Sequence, residues 1–324
     1  MREFKNVVTI TGVLVKNGIE EFTTKKGVEA IGGELVIRTK DGSEHEVNVY
    51  ANKYKKDSDG NETGELSYFF NKYYEAKENL VSLETAPEEE CSIVRISDGE
   101  FTTNDFVGKD GNMVSTNKIS CKFINVVEKK DVETTLQEAK FEVEGIIESI
   151  TDEVIKNVPT GELLVKLNHV TTTLRDSNGN TTFDKSKGKI SPYSIVPITL
   201  KVNKEMVSAF KGAGYYPNAF VKFAGSVINS TEIKEIVEAQ SFGEDIHKEV
   251  KSYVRKYEIK SGNNAVMPST LELTDEVITM LVNKRKEDLK AKMSGESTST
   301  DGQFGNSQAA TPPAPANPFA NPFA

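Results

Sequence analysis

The sequence predicts a mostly β protein: two tandem OB-fold barrels, then a short helical segment and a disordered C-terminal tail. Three observations predict it. Period-2 alternation of apolar and polar residues recurs in short runs separated by turn residues across residues 6–242, the pattern of half-buried antiparallel strands. The order three strands, one helix, two strands appears twice, which is the order of an OB barrel. Beyond Ser294 the composition collapses to Gly, Ser, Thr, Gln, Ala, Asn and Pro, with too little apolar surface to offset the entropy of ordering.

The second half shows the pattern most clearly. Phe141–Ile150 alternates and carries Gly145 in mid-strand, where a barrel strand must bend to serve both layers. Glu162–Thr171 and Ile195–Val202 alternate again. Lys204–Ala213 places Met206, Val207 and Phe210 at helical spacing. Ala219–Ile228 and Ile233–Phe242 then read as a closing hairpin around Asn229-Ser230-Thr231.

The first half repeats the order. Asn6–Lys16 is a strand with Val8, Ile10, Gly12 and Leu14 on one face, followed by a polar turn region at Ile19–Glu29. Ile31–Thr39 and Glu44–Ala51 are the next strands, joined through Asp41-Gly42, a hairpin dipeptide. Asn52–Gly64 is a polar loop, and Leu66–Leu80 is a helix with Phe69, Phe70, Tyr73 and Tyr74 as its apolar and aromatic positions. Ser92–Thr102 and Asn117–Val127 are the fourth and fifth strands, with a long turn at Thr103–Thr116. Aligned by element, residues 9–17 match 143–151, 94–101 match 221–228, and 118–128 match 232–242. This is a repeat of architecture rather than of residue identity.

The domain limits that follow are 1–130 and 138–244 for the two barrels, 245–293 for a helical extension and 294–324 for the tail. In the extension, Ile246, Val250, Val254 and Tyr257 suggest a helix, and Thr274 is the expected N-cap of a second one over Asp275–Met293. The tail ends in Asn-Pro-Phe-Ala twice, at Asn317–Ala320 and Asn321–Ala324.

At 324 residues the chain is long enough for two cores. Its net charge of −9 counts against a polyanion ligand, although a basic groove can lie within an acidic surface. Cys91 and Cys121 lack metal-ligand or disulfide-framework spacing. No apolar run is long enough to span a membrane and no signal segment opens the chain, so a cytoplasmic location is expected. His45, His169 and His247 have no Cys or Ser partner at a catalytic spacing, and no phosphate-binding, hydrolase or zinc-protease motif occurs. A binding protein is expected rather than an enzyme, with no cofactor and no metal.

OB barrels hold single strands with a basic groove and aromatic stacking platforms. In the second half, the polar segment Thr171–Ser194 interleaves Arg175, Phe183, Lys185, Lys187, Lys189 and Tyr193. The bland reading, a solvated Lys-rich hairpin loop, weighs about the same. In the first half the candidates are Lys53, Tyr54, Lys55 and Lys56, and the hairpin residues Phe106, Lys109 and Lys118. Tyr73 and Tyr74 read as helix-packing residues, and Phe22 is exposed in pattern but ambiguous.

Residues 94–128 resemble the fourth-strand, long-hairpin, fifth-strand unit of bacterial and phage single-stranded DNA-binding proteins. Residues 9–17 resemble the first strand of that family, and 219–229 again its fourth. The resemblance implies a protein that coats single-stranded DNA without sequence preference in replication, recombination or repair, here in a bacteriophage setting within a bacterial cytoplasm. It implies Phe101, Phe106 and Phe183 as substitutes for the family's stacking aromatics, since this chain has no Trp. It further implies that Pro318-Phe319 and Pro322-Phe323 form a tail tip that docks replication or recombination proteins, and that the chain forms homo-oligomers with fewer subunits. Two departures stand out: only Glu296 and Asp301 are acidic after Ser294, and segment 245–293 has no family counterpart. The acidic net charge keeps a second reading open, a phage structural or assembly adaptor whose barrels bind protein.

Overall fold

A computed structural model describes residues 1–24, 26–57, 61–176, 181–182, 188–238 and 246–294, the side chains of 129, 231–238 and 246–253 apart. Within them the first half forms β1 (Asn6–Thr23), β2 (Glu29–Arg38), β3 (Glu44–Asn52), β4 (Tyr54–Lys56), β5 (Glu62–Leu66), α1 (Tyr68–Asn79), β6 (Ile93–Val107), β7 (Met113–Ser120) and β8 (Asn125–Val126). The second half forms β9 (Ala139–Ile155), β10 (Val158–Arg175), β11 (Lys189–Val202), α2 (Val207–Gly212), β12 (Phe220–Glu238), β13 (Ile246–Gly262) and α3 (Asp275–Ser294).

Each half closes on itself. In the first, β1 pairs with β2, β2 with β3, β3 in parallel with β7, β7 with β6, and β6 with β1. In the second the same circuit runs β9–β10–β11, then in parallel to β13, then β12 and back to β9. Each strand of the two rings is thus paired on both sides over part of its length. The expected tandem OB barrels are what the chain forms.

Glycine makes the closures possible. A Cβ at Gly12 would overlap the Arg38 carbonyl oxygen, and one at Gly145 would stand 2.6 Å from the Asn168 carbonyl oxygen. The two glycines therefore occupy the same place in the two barrels. The first strands of the barrels pair antiparallel, and this joins the halves into one sheet. The pair Val8↔Phe141 lies at its middle, with each partner four residues before its barrel glycine. Gly99 stands opposite Val8 and Gly225 opposite Phe141, so the fourth strands match too. An approximate twofold axis thus runs through the Val8–Phe141 pair.

Ser67 caps α1, its hydroxyl accepting from the Phe70 amide at 3.1 Å. The helix buries Phe70 and Tyr73 under the first barrel, and the Tyr73 hydroxyl donates to the Lys122 carbonyl at 3.0 Å. Between the barrels Phe101 meets Tyr257 at a tilt, with centroids 4.6 Å apart, and Phe141 edge to face at 5.8 Å. A second cluster joins Phe4, Ile146, Val170, Ile195 and Phe220 to Leu273 and Leu281, and it seats α3 on the second barrel. A buried Leu of this kind contributes roughly 1.5–3 kcal/mol.

The structure corrects several expected boundaries. The segment after residue 245 is not a helix but β13, the fifth strand of the second barrel. Its Ile246, Val250 and Val254 are four apart, and four is an even number, so that spacing also fits one face of a strand. The expected turn at Asn229-Ser230-Thr231 is uninterrupted β12, and the barrel runs to Gly262 rather than 244. The long turn at Thr103–Thr116 is mostly strand, with its tip at Gly108–Asn112. The fifth strand of the first barrel ends at Ser120, and Asn125–Val126 separately pairs with β6. The polar turn Ile19–Glu29 is a strand extension on both sides of its tip, and Asn52–Gly64 contains the β4–β5 hairpin. The helix over Asp275–Ser294 is present, with the Thr274 hydroxyl facing the Val277 amide at 3.4 Å. The tail from 295 onward lies outside the described residues.

Candidate nucleic-acid interface

The outer face of β1–β2–β3 follows from strand alternation. On β3, Glu44, Glu46, Asn48, Tyr50 and Asn52 point away from the core, while His45, Val47, Val49 and Ala51 are buried. Tyr50 lies opposite Gly32 and Phe22 opposite Ala30. With only small side chains beneath them, the two rings come together at 6.1 Å between centroids, and Phe22 is 42% exposed. The Tyr50 hydroxyl donates to Asn52 Oδ1 at 2.7 Å, which fixes the ring on the surface.

Charge on this face is mixed. Glu34 has its carboxyl pKa raised by burial and by neighbouring Glu46, while Lys118, Lys16 and Arg255 oppose the rise. Strand register places Lys16, Glu34 and Glu46 on this face, with Lys118 on the neighbouring β7 and Arg255 beside Glu46. Arg255 comes from the other barrel: the β12–β13 hairpin leans onto β3, where Asn229 donates to the Glu44 carbonyl at 2.5 Å and Arg255 lies 3.7 Å from Glu46. The reverse arm does the same. Asn117 on β7 donates to the Pro197 carbonyl on β11 at 2.8 Å. Each contact comes from one matched cross-strand pair, Thr103↔Asn117 in one arm and Asn229↔Arg255 in the other.

The β6–β7 arm has two faces. Asp105 faces α3 and accepts from Arg285 at 2.9 Å and Ser115 at 2.6 Å, with Lys292 at 3.4 Å. Burial alone would raise the Asp105 pKa, but the bonds from Ser115 and Arg285 outweigh it and hold the carboxyl below its usual range. Phe106, Thr116 and Lys118 alternate onto the opposite, outer face, and Phe106 is 38% exposed.

The residues singled out in the sequence divide accordingly. Phe106, Lys109 and Lys118 lie on the β6–β7 arm of the first barrel. Lys53 and Tyr54 follow β3; Lys53 pairs with Glu29 at 3.0 Å and lies 5.5 Å from the Tyr54 ring centre. Lys55 pairs with Glu65 at 2.8 Å, and Lys56 is exposed. Phe101 is a correction: fully buried between the barrels, it presents no face to a ligand. Arg175, Lys189 and Tyr193 lie on the far end of β10–β11 in the second barrel, remote in sequence pairing from the Phe22–Tyr50 face. Lys284 of α3 lies over the Tyr193 ring at 4.2 Å. Phe183, Lys185 and Lys187 lie outside the described residues, as do Pro318, Phe319, Pro322 and Phe323. Sequence reading missed Tyr50, Lys16 and Arg255. Tyr50 was legible as an outward position of an alternating strand; Arg255 was hidden by the helical assignment of its segment.

Two buried histidines have structural surroundings. His45 faces Thr39 Oγ1 at 3.2 Å, its Nδ1 has no partner among the described residues, and burial pushes its pKa down to about 4. His169 Nδ1 bonds the Glu144 carbonyl at 2.8 Å, and burial lowers its pKa too. Among the described residues no group of three His, Cys, Asp or Glu side chains is placed to hold a metal, and no helix is long and apolar enough to cross a membrane.

The family model described as YorF matches residues 5–295, and the chain belongs to that family. No curated protein matches the chain. Among solved structures, the chain is similar to the wild-type single-stranded DNA binding protein from Thermus aquaticus, at 9% identity over 82% of this chain and 95% of that one, with a TM-score of 0.43. It is similar to the small single-stranded DNA-binding protein from Streptomyces coelicolor at 10% identity over 40% of this chain and 95% of that one, TM-score 0.23. A replication protein A heterotrimer bound to ssDNA shares 12% identity over 78% of this chain and 49% of the matched chain, TM-score 0.22.

Proposed function

We propose that this YorF-family chain binds single-stranded DNA without sequence preference across the outer face of its first barrel. The observation that carries the reading is the Phe22–Tyr50 ring pair on β1 and β3, with Phe22 exposed and Tyr50 half-buried, on the face that also bears Lys16 and Lys118. Base stacking on such rings contributes roughly 1–3 kcal/mol per base, and it tolerates every sequence because each base has a π face. Lys118 and Phe106 extend the path along the β6–β7 arm, with Lys109 at its tip. Tyr54 and Lys56 flank its other end. Because Glu20, Glu34 and Glu46 lie on the same surface, stacking supplies more of the affinity than phosphate contact does.

A strand-coating role in replication, recombination or repair, in a bacteriophage or its bacterial host, is the setting that fits this activity. The Pro-Phe repeats at Pro318-Phe319 and Pro322-Phe323 then recruit a partner protein. The acids on the face favour one other reading, a protein-binding adaptor. Anisotropy of a labelled oligo-dT, against duplex DNA at two salt concentrations, separates the two. The expected result is oligo-dT binding with little duplex binding, weakened by Phe22→Ala and Tyr50→Ala by about 1–3 kcal/mol each. No oligo-dT binding at low salt overturns the DNA reading and leaves the adaptor.

A further inference from the structure

The matched glycines allow the two barrels to be superposed residue by residue along their faces. Gly12 faces the Arg38 carbonyl and Gly145 that of Asn168; Arg38 pairs with Glu44 and Asn168 with Pro197. Even the bulge recurs, since Lys16 pairs with Val36 and Ser149 with Lys166 at equal steps from those references. Counted six residues on from Glu44 and from Pro197, Tyr50 in the first barrel corresponds to Asn203 in the second. Counted ten on from the glycines along the first strands alone, Phe22 corresponds to Ile155; across from it β10 carries a further register shift between Pro159 and Leu163 that β2 lacks.

The second face thus lacks both rings, and the polar groups matched to Tyr50 and Asn48 are already committed. Asn203 accepts from the Met206 amide at 3.1 Å and donates to Glu258 at 3.0 Å. Lys201, matched to Asn48, is held by Glu153 at 2.9 Å and Glu162 at 2.7 Å. At its other end α3 packs on Val170 and Ile195, over a groove of about 450 Å³ that Asn168 and Pro197 help to line. The arms are unequal as well. The second barrel lends the first a cation, Arg255, whereas the matched residue lent in return is the neutral Asn117.

We infer that the chain carries one strand track, on the first barrel, completed by Arg255 from the second barrel, whose own face does not receive DNA. This rests on the strand-binding reading above. Arg255 lies beside Glu46 with its guanidinium partly exposed, so a passing phosphate competes with that carboxylate for it. The second barrel acts as a scaffold that positions this arm.

The test is a stoichiometric titration of the full chain with a labelled oligo-dT of about 12 nucleotides, a length within one OB face. It is repeated for Arg255→Glu and for Lys166→Glu, which reverses an exposed charge in the middle of the second face. The expected result is one oligonucleotide per chain. Arg255→Glu weakens binding about tenfold and lowers the salt slope by about one, while Lys166→Glu binds within twofold of the parent. Two oligonucleotides per chain, or equal loss in both variants, overturns the single track. Thermal melts of both variants exclude misfolding as the source of a loss. Failure of the parent chain to bind overturns the strand-binding reading instead, a different outcome.

Discussion

In the first barrel a Cβ at Gly12 would overlap the Arg38 carbonyl, and in the second one at Gly145 would crowd that of Asn168; yet Tyr50 on the third strand of the first barrel is matched by Asn203, just past the end of β11, in the second. The backbone solution is the same where each ring must close, and the outer faces differ. That division follows from physics. Closure needs a close approach at fixed points, and any side chain there costs the whole barrel. An outward residue answers only to solvent, a ligand or a neighbouring element, so site chemistry diverges on a shared fold.

The largest expected effect breaks the shared part. Gly12→Val and Gly145→Val each force a branched side chain into a carbonyl oxygen, and each should cost about 3 kcal/mol of stability, the upper end of the range for overpacking. Urea unfolding of the two variants checks this. Matching losses support equivalent closure; a tolerated valine at either position would show that the glycines do not perform the same task. Substitution of Gly42, at a turn tip where a Cβ meets nothing within 4 Å, is the contrast, since only its φ of 82° opposes a side chain.

The next effect sharpens a difference between the barrels' interiors. His45 is buried in the first with its pKa down to about 4, and the matched position in the second, one residue after Pro197, is Ile198. Above pH 6.5 the imidazole is neutral whether the chain is folded or unfolded. As pH falls from there towards 4, only the unfolded chain takes up the proton, so stability is lost progressively. The loss approaches about 3 kcal/mol at pH 4. His169 adds in the same direction, but its bond to the Glu144 carbonyl opposes the shift. Urea midpoints at pH 7, 5.5 and 4.5 should therefore fall less steeply in His45→Gln than in the parent chain. Equal slopes would remove His45 as a source of the acid response.

Most of the architecture was legible in the sequence, because period-2 runs and turn residues report strand order directly. The misreadings have specific causes. Residues 246–254 place apolar groups four apart, a spacing that a helix and one face of a strand share, and this hid β13. Without β13 the expected closing hairpin had to be drawn inside β12. The site was less legible. Lysine-rich stretches drew attention to Lys53–Lys56 and the 171–194 segment, whereas Lys53 and Lys55 are spent on Glu29 and Glu65. The family resemblance implies Phe101 as a stacking residue by position alone, but that position lies buried on the seam between the barrels. A seam is made by pairing across the repeat, and no local pattern shows it.

The smallest effect concerns the one acid at the centre of the proposed track. Glu34 has no counterpart charge on the second face, where the matched residue two before Lys166 is Leu164. Its carboxyl is held above the ordinary range by burial and by Glu46. A strand laid across it brings phosphates that further disfavour the charged form, so the bound complex takes up a proton more readily than the free protein. Binding must then tighten as pH falls through the range in which Glu34 titrates. Glu34→Gln removes the repulsion at every pH. Oligo-dT affinity at neutral pH should rise by about 0.5 kcal/mol, roughly twofold, the scale of a solvent-exposed charge pair, and the pH dependence should flatten. A weaker Glu34→Gln variant with an unchanged melting temperature would place the strand along the β6–β7 arm rather than over β2.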